Sequence, residues 1–464
     1  MYQVDFTKPC HVHFIGIGGI SMSGLAEILN KEGFKVTGSD MKESETTKIL
    51  ADKGIKIYIG QFGSNITSEA DIDLVVYTAA ISNDNEELLM AKEKNIPLLT
   101  RAQLLGQIME NYKYSIAVSG THGKTTTTSM LSHIFMAAAK DPTISIGGML
   151  NLIGGNIRVG SSPYFITEAC EYTNSFHSFY PYISIILNID NDHLDFFKNI
   201  ENIVKSFAKY STNLKDKGLL IVNGDMKYLD DIKAAVKDKD CSIITFGLND
   251  GNTYQAKNVI LNEEGHPAYD LYIDGEYIDK IELAVTGIHN AVNSLSAIAA
   301  ARFLDIDLSI IKEGLKNCAS AHRRFEYKGT LPGNVKVIDD YAHHPTEIAA
   351  TLKVGRSVVK NELWCAFQPH TYSRTKALLS DFAKALSVCD HVLLADIYAA
   401  REKDDGTISS KDLERELKAL GCDAVYLGDF ESIKNYFKSH VSNNDMLITM
   451  GAGNIDSIGV ELLK

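Results

Sequence analysis

The stretch GTHGKTTTT, Gly120 to Thr128, decides the fold of this chain. The apolar run at residues 115–119 precedes it, and a segment rich in Ala, Leu and Met, residues 129–139, follows it. Strand, glycine-rich turn and helix in this order form the context that a phosphate-binding loop requires. Gly120 and Gly123 let backbone N–H groups approach phosphate oxygens, and the N-terminus of the following helix favours an anion. The stretch therefore predicts a nucleotide-phosphate site between a strand and a helix.

Two side chains of this loop have the chemistry that a bound nucleotide needs. Lys124 can reach the β- and γ-phosphates, and the hydroxyl of Thr125 can ligate Mg²⁺. The common pattern GxxxxGK[ST] would place a glycine at position 118, where this chain has Val118. The glycine loop is therefore shorter than the common form or differently placed. The alternative is a solvated turn between strand and helix with an N-capping threonine.

Composition and charge indicate a soluble globular protein of about three domains. The chain has 464 residues, 45% of them hydrophobic, and a net charge of −13, which argues against bulk binding of nucleic acid or an anionic membrane. The seven cysteines are scattered and form no CxxC pair, and the sequence has no apolar stretch long enough for a membrane span. We expect reduced thiols and a cytoplasmic location.

Alternating strand and helix patterns predict an α/β fold with mostly parallel sheets. One α/β series fills the first third of the chain, a second begins at the phosphate-loop strand, and a third begins after Arg323. We expect three domains, at residues 1–111, 112–323 and 324–464. Within the second, Asp274-Gly275 predicts a β-hairpin turn.

The turn Gly16-Ile-Gly-Gly-Ile-Ser21 follows the first predicted strand, and Asp40 ends the second. A dinucleotide-binding fingerprint has this layout, with the acidic residue on a ribose. Ser21 stands where the third glycine belongs, which weakens the case for NAD. A bound nucleotide diphosphate, NAD(P) and a structural turn therefore stay open.

Two acidic clusters follow strands of the second series. Glu168 and Glu171 follow the strand at 164–167, which we expect beside the phosphate-loop strand, where an NTPase places a Mg²⁺ ligand. The stretch 188–193 follows the next strand and contains His193 among aspartates, which suits a second hard cation or a phosphate contact. An exposed acidic strand end is the alternative for the first cluster, and a structural histidine for the second.

Polar side chains also mark three later positions. Asn290 and Asn293 open a helix, where they either cap it or bind the edge of a base. Two strand ends of the third series are followed by side chains that can pair with the carboxylate and ammonium groups of an amino acid: Asp340, Tyr341, His343 and His344 at one, His370 and Arg374 at the next. Either histidine could instead be a hydrogen-bonded loop residue.

Taken together, these motifs resemble the Mur ligase family, and the resemblance covers essentially the whole chain. The segments that carry it are HFIGIGGISMSGLAEIL (13–29), GTHGKTT (120–126), EACEY (168–172), NIDNDH (188–193), GIHN (287–290), Arg324, DDYAHHPTE (339–347), FQPH (367–370), DIYAA (396–400) and GAG (451–453). The short phosphate loop is this family's own form, which accounts for Val118.

The resemblance implies an ATP-dependent ligase that joins L-alanine to the carboxylate of UDP-N-acetylmuramate through an acyl phosphate, in peptidoglycan precursor synthesis. It implies a Rossmann-like N-terminal domain for the UDP-sugar, a central domain like a P-loop ATPase, and a Rossmann-like C-terminal domain for the amino acid. ATP and Mg²⁺, as two ions, are the implied cofactors. The implied partners are the small-molecule substrates, without nucleic acid or membrane, and the chain is expected to be a monomer or weak homodimer.

The resemblance also implies site residues. The catalytic residues are Lys124, Glu168, His193 and His343. The ATP-binding residues are Gly120, Thr121, His122, Gly123, Lys124, Thr125, Thr126, His289, Asn290, Asn293, Arg324 and Asp340. The UDP-sugar-binding residues are Gly16, Gly18, Gly19, Ile20, Ser21, Asp40 and Thr78. The amino-acid-binding residues are Tyr341, His343, His370 and Arg374, and the metal ligands are Thr125, Glu168 and His193.

Three positions depart from the family pattern. Ser21 replaces a frequent glycine, and Thr371 stands where many relatives have arginine, which leaves Arg374 to bind the substrate carboxylate. His193 takes the place of a carbamylated lysine, which the sequence does not locate. The alternative functions are a murein-peptide recycling ligase that uses the same UDP-sugar, an NAD-dependent oxidoreductase, and a non-catalytic nucleotide-binding regulator.

Overall fold

A computed structural model describes residues 2–78, 80–318, 322–400 and 402–464. Over these ranges the chain forms two compact units. The first consists of Met1–Asn191, Asn199–Gln255 and Leu295–Gly314, and the second of Asp192–Lys198, Ala256–Ser294 and Leu315–Lys464. The described residues form sheets of five, ten and six strands, and most strand pairs are parallel, which confirms the predicted α/β class.

The N-terminal sheet is all-parallel and has the order β3-β2-β1-β4-β5. Its strands are β1 His11–Ile15, β2 Lys35–Asp40, β3 Lys56–Ile59, β4 Leu74–Tyr77 and β5 Leu98–Thr100. The helices of this region are α1 Ile20–Lys31, α2 Glu45–Asp52, α3 Gly63–Thr67, α4 Glu86–Glu93 and α5 Arg101–Glu110. Strand β1 is at the centre of the sheet, with β2 on one side and β4 on the other. The turn after β1 therefore lies at the point where the strand order reverses, which is where open α/β sheets bind ligands.

The central sheet has the order β15-β14-β13-β12-β11-β10-β6-β9-β7-β8. Its strands are β6 Tyr114–Ser119, β7 Thr143–Leu150, β8 Gly155–Arg158, β9 Tyr164–Glu168, β10 Ile183–Ile186, β11 Gly218–Asn223, β12 Cys241–Gly247, β13 Tyr254–Leu261, β14 Pro267–Ile273 and β15 Glu276–Glu282. Its helices are α6 Lys124–Ala137, α7 Leu194–Phe197, α8 Ile200–Ser211, α9 Leu229–Ala235, α10 Ile288–Phe303 and α11 Leu308–Lys316, with 3₁₀ turns at Asn151–Ile153 and Tyr172–Ser178.

Two local predictions for this sheet are confirmed. The phosphate-loop strand β6 pairs in parallel with β9, which ends at Glu168, and with β10 on its other side. Strands β14 and β15 form an antiparallel hairpin in which Ile273 pairs with Glu276, so Asp274 and Gly275 make the two-residue turn. Both turn residues have positive φ, at +50° and +84°, as a type I′ turn requires.

The third sheet has the order β16-β17-β21-β18-β19-β20, in which β16 is an antiparallel edge. Its strands are β16 Glu326–Leu331, β17 Val335–Asp340, β18 Leu363–Phe367, β19 His391–Ala395, β20 Asp423–Gly428 and β21 Met446–Met450. The helices are α12 Pro345–Val358, α13 Tyr372–Ala377, α14 Leu379–Leu386, α15 Ser410–Ala419, α16 Phe430–His440 and α17 Asp456–Leu462.

The third sheet is buried on both faces, and β18 shows why its sequence is apolar throughout. Leu363, Cys365 and Phe367 belong to the core on one face, whereas Trp364 and Ala366 belong to the core on the other. Successive side chains of a strand point to opposite faces, so a strand covered by helices on both sides has no polar position. Within the described part of the chain, no helix is both long and apolar enough to span a membrane.

Candidate active site

The phosphate loop connects β6 to α6, and its two glycines adopt backbone conformations that other residues rarely tolerate. Gly120 has φ +140° and Gly123 has φ +87°. A Cβ atom on Gly120 would lie 3.0 Å from Cβ of Leu187, so the loop also passes too close to its neighbour for a side chain. Helix α6 begins at Lys124, with Thr125 and Thr126 in its first turn. Its unpaired N–H groups and partial positive charge therefore face the loop.

Lys124 folds back over this loop. Its Nζ donates to the carbonyl oxygens of Gly120 at 2.6 Å and Thr121 at 3.1 Å, and to the carboxylate of Glu171 at 2.9 Å. Burial disfavours the charged ammonium, but the facing Glu171 carboxylate outweighs burial and raises the pKa of Lys124 above its ordinary value. Lys124 is thus a fixed positive charge at the mouth of the loop.

The end of β10 clamps the loop from one side. The side chain of Asn188 accepts from the N–H of His122 at 2.8 Å and donates to the carbonyl of His122 at 3.0 Å. The N–H of Asp190 donates to the hydroxyl of Thr121 at 2.9 Å, and the carboxylate of Asp190 lies 3.4 Å from Nε2 of His122. Residues 188–190 therefore help to hold the loop backbone in shape, together with the contacts that Lys124 makes to the loop carbonyls.

Thr125 and Glu168 each approach one of two consecutive glycines of β7. Glu168 accepts from the N–H of Gly147 at 2.7 Å, and a Cβ atom on Gly148 would lie 3.3 Å from the methyl carbon of Thr125. A hydroxyl and a carboxylate beside a phosphate loop are hard oxygen donors of the kind that Mg²⁺ prefers. These residues fit a Mg²⁺ ion bound together with nucleotide phosphates.

The glycine turn after β1 is tied to the end of β2. Gly16, with φ +82°, donates its N–H to the carbonyl of Ser39 at 2.9 Å, and Gly18 donates its N–H to the carboxylate of Asp40 at 2.9 Å. A Cβ atom on Gly16 would lie 3.3 Å from the methyl of Thr78. Three further predicted residues follow in the chain: Gly19 is the N-cap of α1, and Ile20 and Ser21 are its first two residues. The turn thus brings the predicted UDP-sugar residues together in the first unit.

The predicted residues His193, His370 and Arg374 meet around Asp192 in the second unit. Asp192 accepts from the N–H of His193 at 2.7 Å and from Nη2 of Arg374 at 3.3 Å. Burial by itself would raise the pKa of Asp192, but His193 and Arg374 outweigh it and lower the pKa to about 2. Asp192 is therefore a buried carboxylate whose ionised form its neighbours favour.

His343 and His370 are neutral imidazoles with defined roles for their nitrogens. Nδ1 of His343 lies 3.0 Å from the carbonyl of Tyr341, so it carries the proton, and Nε2 is left as the acceptor. Nδ1 of His370 accepts from Nη1 of Arg374 at 3.2 Å, so its proton is on Nε2. Burial is the main cause that lowers the pKa of both, to about 4 for His370, where His343 and Arg374 add to it.

In the second unit, Asp340 and Arg323 hydrogen-bond to backbone groups, whereas Arg324 packs on an aromatic ring. The carboxylate of Asp340 accepts from the N–H groups of Phe325 at 2.8 Å and Ala342 at 2.7 Å, and burial raises its pKa to about 6. Arg323 donates to the carbonyls of Gly451 and Gly453 and pairs with Asp339. Arg324 lies over the ring of Tyr341, with Cζ 5.6 Å from the ring centroid.

The asparagines at the start of α10 form hydrogen bonds within their own segment. Asn290 donates to the carbonyl of Thr286 at 2.8 Å and accepts from Nδ2 of Asn293 at 3.2 Å. A Cβ atom on Gly287 would lie 2.5 Å from Cε1 of His289, so that ring packs against the turn. Of the two interpretations of Asn290, the contacts within this segment favour local bracing of the helix start.

The structure also shows partners for acidic residues that are not among the implied site residues, although Glu171 is a candidate of the first acidic cluster. Glu171 binds Lys124, Asp192 binds Arg374, and Glu402 accepts from the N–H of Ser373 at 2.9 Å. Glu171 and Asp192 lie in motifs next to predicted ligands, which is the signal that could have identified them. Glu402 carries no such signal, because it lies in a loop remote in sequence from Ser373.

Three family models match successive parts of the chain: "Mur ligase family, catalytic domain" at residues 11–113, "Mur ligase middle domain" at 118–301 and "Mur ligase, glutamate ligase domain" at 323–453. A curated relative from Lachnospira eligens is 54% identical over the whole length of both chains. The chain belongs to the Mur ligase family. This confirms the resemblance drawn from the motifs.

Three relatives of this Mur ligase are named for the same reaction, and a fourth is named as a murein peptide ligase. The Lachnospira eligens protein and one from Agathobacter rectalis, 53% identical over 100% of both chains, are named UDP-N-acetylmuramate--L-alanine ligase. The crystal structure of UDP-N-acetylmuramate-alanine ligase from Thermotoga maritima is 31% identical, covers 98% of both chains and has a TM-score of 0.78. A murein peptide ligase from Psychrobacter arcticus, 24% identical over 98% of both chains, shares the fold with a TM-score of 0.67.

Proposed function

We propose that this Mur ligase joins L-alanine to the carboxylate of UDP-N-acetylmuramate, consuming ATP and giving UDP-N-acetylmuramoyl-L-alanine, ADP and phosphate. The observation that carries this proposal is the 54% identity, over full length, to a relative named for that reaction. The phosphate loop with Lys124, Thr125 and Glu168 in place supports turnover rather than nucleotide binding alone.

The reaction needs activation because a carboxylate is a poor acyl donor. Attack of the muramyl carboxylate oxygen on the γ-phosphorus breaks the bond to the β–γ bridging oxygen and forms an acyl phosphate and ADP. The amine of L-alanine then attacks the acyl carbon, and inorganic phosphate leaves as the amide forms. The first step joins two anions, so it depends on positioning and on neutralisation of charge.

In the first unit, Lys124 supplies one of these positive charges. Its ammonium exchanges the Glu171 carboxylate for the β- and γ-phosphates when ATP binds, because both are anionic partners for one buried cation. We assign the binding of two Mg²⁺ ions to Thr125, Glu168 and His193. Bound Mg²⁺ neutralises phosphate charge and orients the reacting oxygens.

In the second unit, we assign the amino acid to the group formed by Tyr341, His343, His370 and Arg374. The guanidinium of Arg374, oriented by Asp192 and His370, pairs with the carboxylate of L-alanine. Nε2 of His343 accepts the proton that the ammonium must lose before the nitrogen can attack. A neutral histidine is suited to this step because an imidazolium has no lone pair.

The remaining assignments complete the substrate sites. The turn at Gly16, Gly18, Gly19, Ile20 and Ser21, with Asp40 and Thr78, receives the UDP-sugar. We assign ATP contacts to His289, Asn290, Asn293, Arg324 and Asp340 in addition to the loop residues. We place these functions on domains at residues 1–111, 112–323 and 324–464 of a monomer or weak homodimer in the cytoplasm.

The decisive experiment measures phosphate release by the full chain with ATP, Mg²⁺ and UDP-N-acetylmuramate. L-Alanine, glycine, L-serine and a murein tripeptide are supplied in separate reactions, with Lys124→Ala as the inactive control. We expect the highest kcat/KM with L-alanine. Phosphate release with the tripeptide alone would instead identify a recycling ligase, and release without any amine would contradict a ligase.

A further inference from the structure

A network of buried polar side chains lies under the glycine turn of the first unit. We call it the Glu87 network, and its members are His13, Thr37, Ser39, Asn65 and Glu87. The side chains of His13 and Glu87 are 0% exposed. Glu87 is on α4, and its partners come from β1, β2 and α3. Ionisable groups are rarely fully buried unless paired, so this carboxylate needs an explanation.

Glu87 is the centre of this network. Ser39 Oγ donates to its Oε2 at 2.5 Å, and Asn65 Nδ2 donates to its Oε1 at 2.8 Å. Nε2 of His13 lies 3.3 Å from the same Oε1. A single carboxylate therefore satisfies a hydroxyl, an amide and an imidazole, each from a different element.

Two of these partners, Ser39 and Asn65, are linked to the glycine turn by further hydrogen bonds. The carbonyl of Ser39 accepts from the N–H groups of Gly16 and Ile17, both at 2.9 Å. Asn65 also donates to the carbonyl of Gly60 at 2.9 Å, and the N–H of Gly60 donates to the carbonyl of Asp40 at 2.8 Å. Asp40 itself accepts from Gly18 through its side chain. Glu87 is thus linked to both residues that hold the turn: directly to Ser39, and to Asp40 through Asn65 and Gly60.

The other side of the network leads from Glu87 to Asp71. Thr37 Oγ1 lies 2.9 Å from Nδ1 of His13 and 3.0 Å from Nε2 of His11, and Nδ1 of His11 lies 3.2 Å from Asp71. These contacts and the one between His13 and Glu87 form a continuous chain, so both ring nitrogens of His13 are held within the network.

Asp71, at the other end of this chain, has charged partners of its own. Burial, followed by the Lys35 ammonium, lowers the pKa of His11. Lys35 lies 2.9 Å from Asp71 and also pairs with Glu69, which in turn pairs with Lys56 and accepts from Tyr58. The negative charge of Asp71 is therefore already matched by Lys35, whereas Glu87 has no lysine or arginine among the partners found in the described residues.

We propose that Glu87 is a positioning residue for the UDP-sugar: through Ser39 and Asn65 it fixes the backbone at the end of β2, against which the turn from Gly16 to Gly18 is held to receive the nucleotide diphosphate. This inference rests on the proposed function, since it takes the turn to be the UDP-sugar site. A network that served stability alone would not need to converge on the two residues that hold the turn.

The test separates substrate binding from turnover and from stability. In Glu87→Gln an amide NH₂ replaces one acceptor oxygen, so either Ser39 or His13 and Asn65 lose their acceptor. We expect the KM for UDP-N-acetylmuramate to rise about tenfold, as loss of a hydrogen bond to a charged group would cause. The kcat and the KM values for ATP and L-alanine should stay within about twofold, because the network does not reach their sites.

Ser39→Ala and Thr37→Val provide a matched pair on one strand. Ser39→Ala removes one brace and leaves the carboxylate charged, so it serves also if Glu87→Gln folds poorly, and it should raise the same KM severalfold. Thr37 lies on the same strand and contacts His11 and His13, but it has no hydrogen bond to Glu87 or to the turn among the contacts described for the network. Thr37→Val should lower the melting temperature without changing that KM. Equal KM values in the wild type, Glu87→Gln and Ser39→Ala would overturn the proposal.

Gly18→Ala distinguishes a failure of the inference from a failure of the proposed site. A Cβ atom there would lie 2.8 Å from Oδ2 of Asp40, so the turn must shift. If Gly18→Ala leaves UDP-N-acetylmuramate binding unchanged by calorimetry without ATP, the turn is not the UDP-sugar site. If Gly18→Ala weakens binding but Glu87→Gln and Ser39→Ala do not, only the role of Glu87 is wrong.

Discussion

Arg374 and Asp192 are 182 positions apart in the sequence, yet their side chains form an ion pair with Nη2 3.3 Å from Oδ1. The other terminal nitrogen of the guanidinium meets Nδ1 of His370. Arg374 is therefore oriented from two sides before any substrate arrives. A planar guanidinium held in this way can bind a carboxylate in one geometry, which lowers the entropic cost of binding.

The first prediction tests this orientation. In Asp192→Asn the amide keeps the size of the side chain but removes the charge that holds Arg374, so the KM for L-alanine should rise about tenfold. The KM for UDP-N-acetylmuramate should not change. Steady-state kinetics with each substrate varied in turn measures both values. Asp216→Asn, at an exposed carboxylate, is the control for loss of one negative charge, and an equal effect of both variants would show that the ion pair has no specific role.

The second prediction concerns the pH dependence of stability. The pKa of Asp192 is lowered from 3.8 to about 2, so its ionised form stabilises the folded state at pH values above 3.8, and this contribution is lost as the pH falls towards 2. At neutral pH it amounts to about 2 kcal/mol. The melting temperatures of the wild type and Asp192→Asn should differ at pH 6, and the difference should shrink as the pH falls from about 4 to about 2. A difference that stays constant over this range would contradict the assignment.

The third prediction concerns the phosphate loop. Lys124→Ala removes the ammonium that faces the loop carbonyls and Glu171, so phosphate release should fall at least about a thousandfold. The binding of UDP-N-acetylmuramate, measured by calorimetry, should stay nearly intact because its proposed site is on another sheet. Lys140→Ala, three residues beyond the end of the same helix, should leave both measurements unchanged. Loss of sugar-nucleotide binding in Lys124→Ala would mean that the loop is misassigned.

The strand, turn and helix of the loop could be predicted from the sequence because they are adjacent in the chain. Strand β6, the glycines and α6 follow one another within residues 114–137, so local patterns of hydrophobicity and glycine reveal them. The place of Glu168 followed from one further inference, that β9 neighbours β6. Sites built from contiguous elements are accessible to this reasoning, and the fold class followed from the same alternation.

The partners of Asp192 and Glu87 could not be predicted in this way. Glu87 follows the N-cap Asn85 in the first turn of α4, where acidic residues are usually solvated and favoured by the helix dipole. Its burial depends on His13, Ser39 and Asn65, which are brought together only by tertiary packing. The asparagines of α10 show the same limit, since the sequence left helix bracing and base binding equally open until their contacts were known.

The fourth prediction concerns the packing behind the phosphate loop. A Cβ atom on Gly314 of α11 would lie 2.6 Å from Cα of Ile134 in α6, and backbone atoms cannot move aside as a side chain can. Helix propensity favours alanine over glycine by about 1 kcal/mol, but the overlap should outweigh it, for a net loss of about 1–3 kcal/mol. Thermal unfolding of Gly314→Ala measures the loss. In the control Gly459→Ala the nearest atom is a methyl of Val337 at 3.1 Å, so a smaller effect is expected.

The last prediction concerns the proton that the incoming amine must lose. Nδ1 of His343 faces the carbonyl of Tyr341, which leaves Nε2 as the acceptor nitrogen, and burial lowers the pKa of this imidazole. In His343→Gln the kcat should fall about a hundredfold near neutral pH, as loss of a general base does. The deficit should shrink as the pH rises towards that at which L-alanine itself supplies free amine, so kcat/KM for L-alanine should depend more steeply on pH in the variant than in the wild type. His266→Gln, at a histidine that the mechanism does not use, is the control. A deficit that is equal at every pH would assign His343 to binding alone, because only a proton acceptor can be replaced by alkaline solvent.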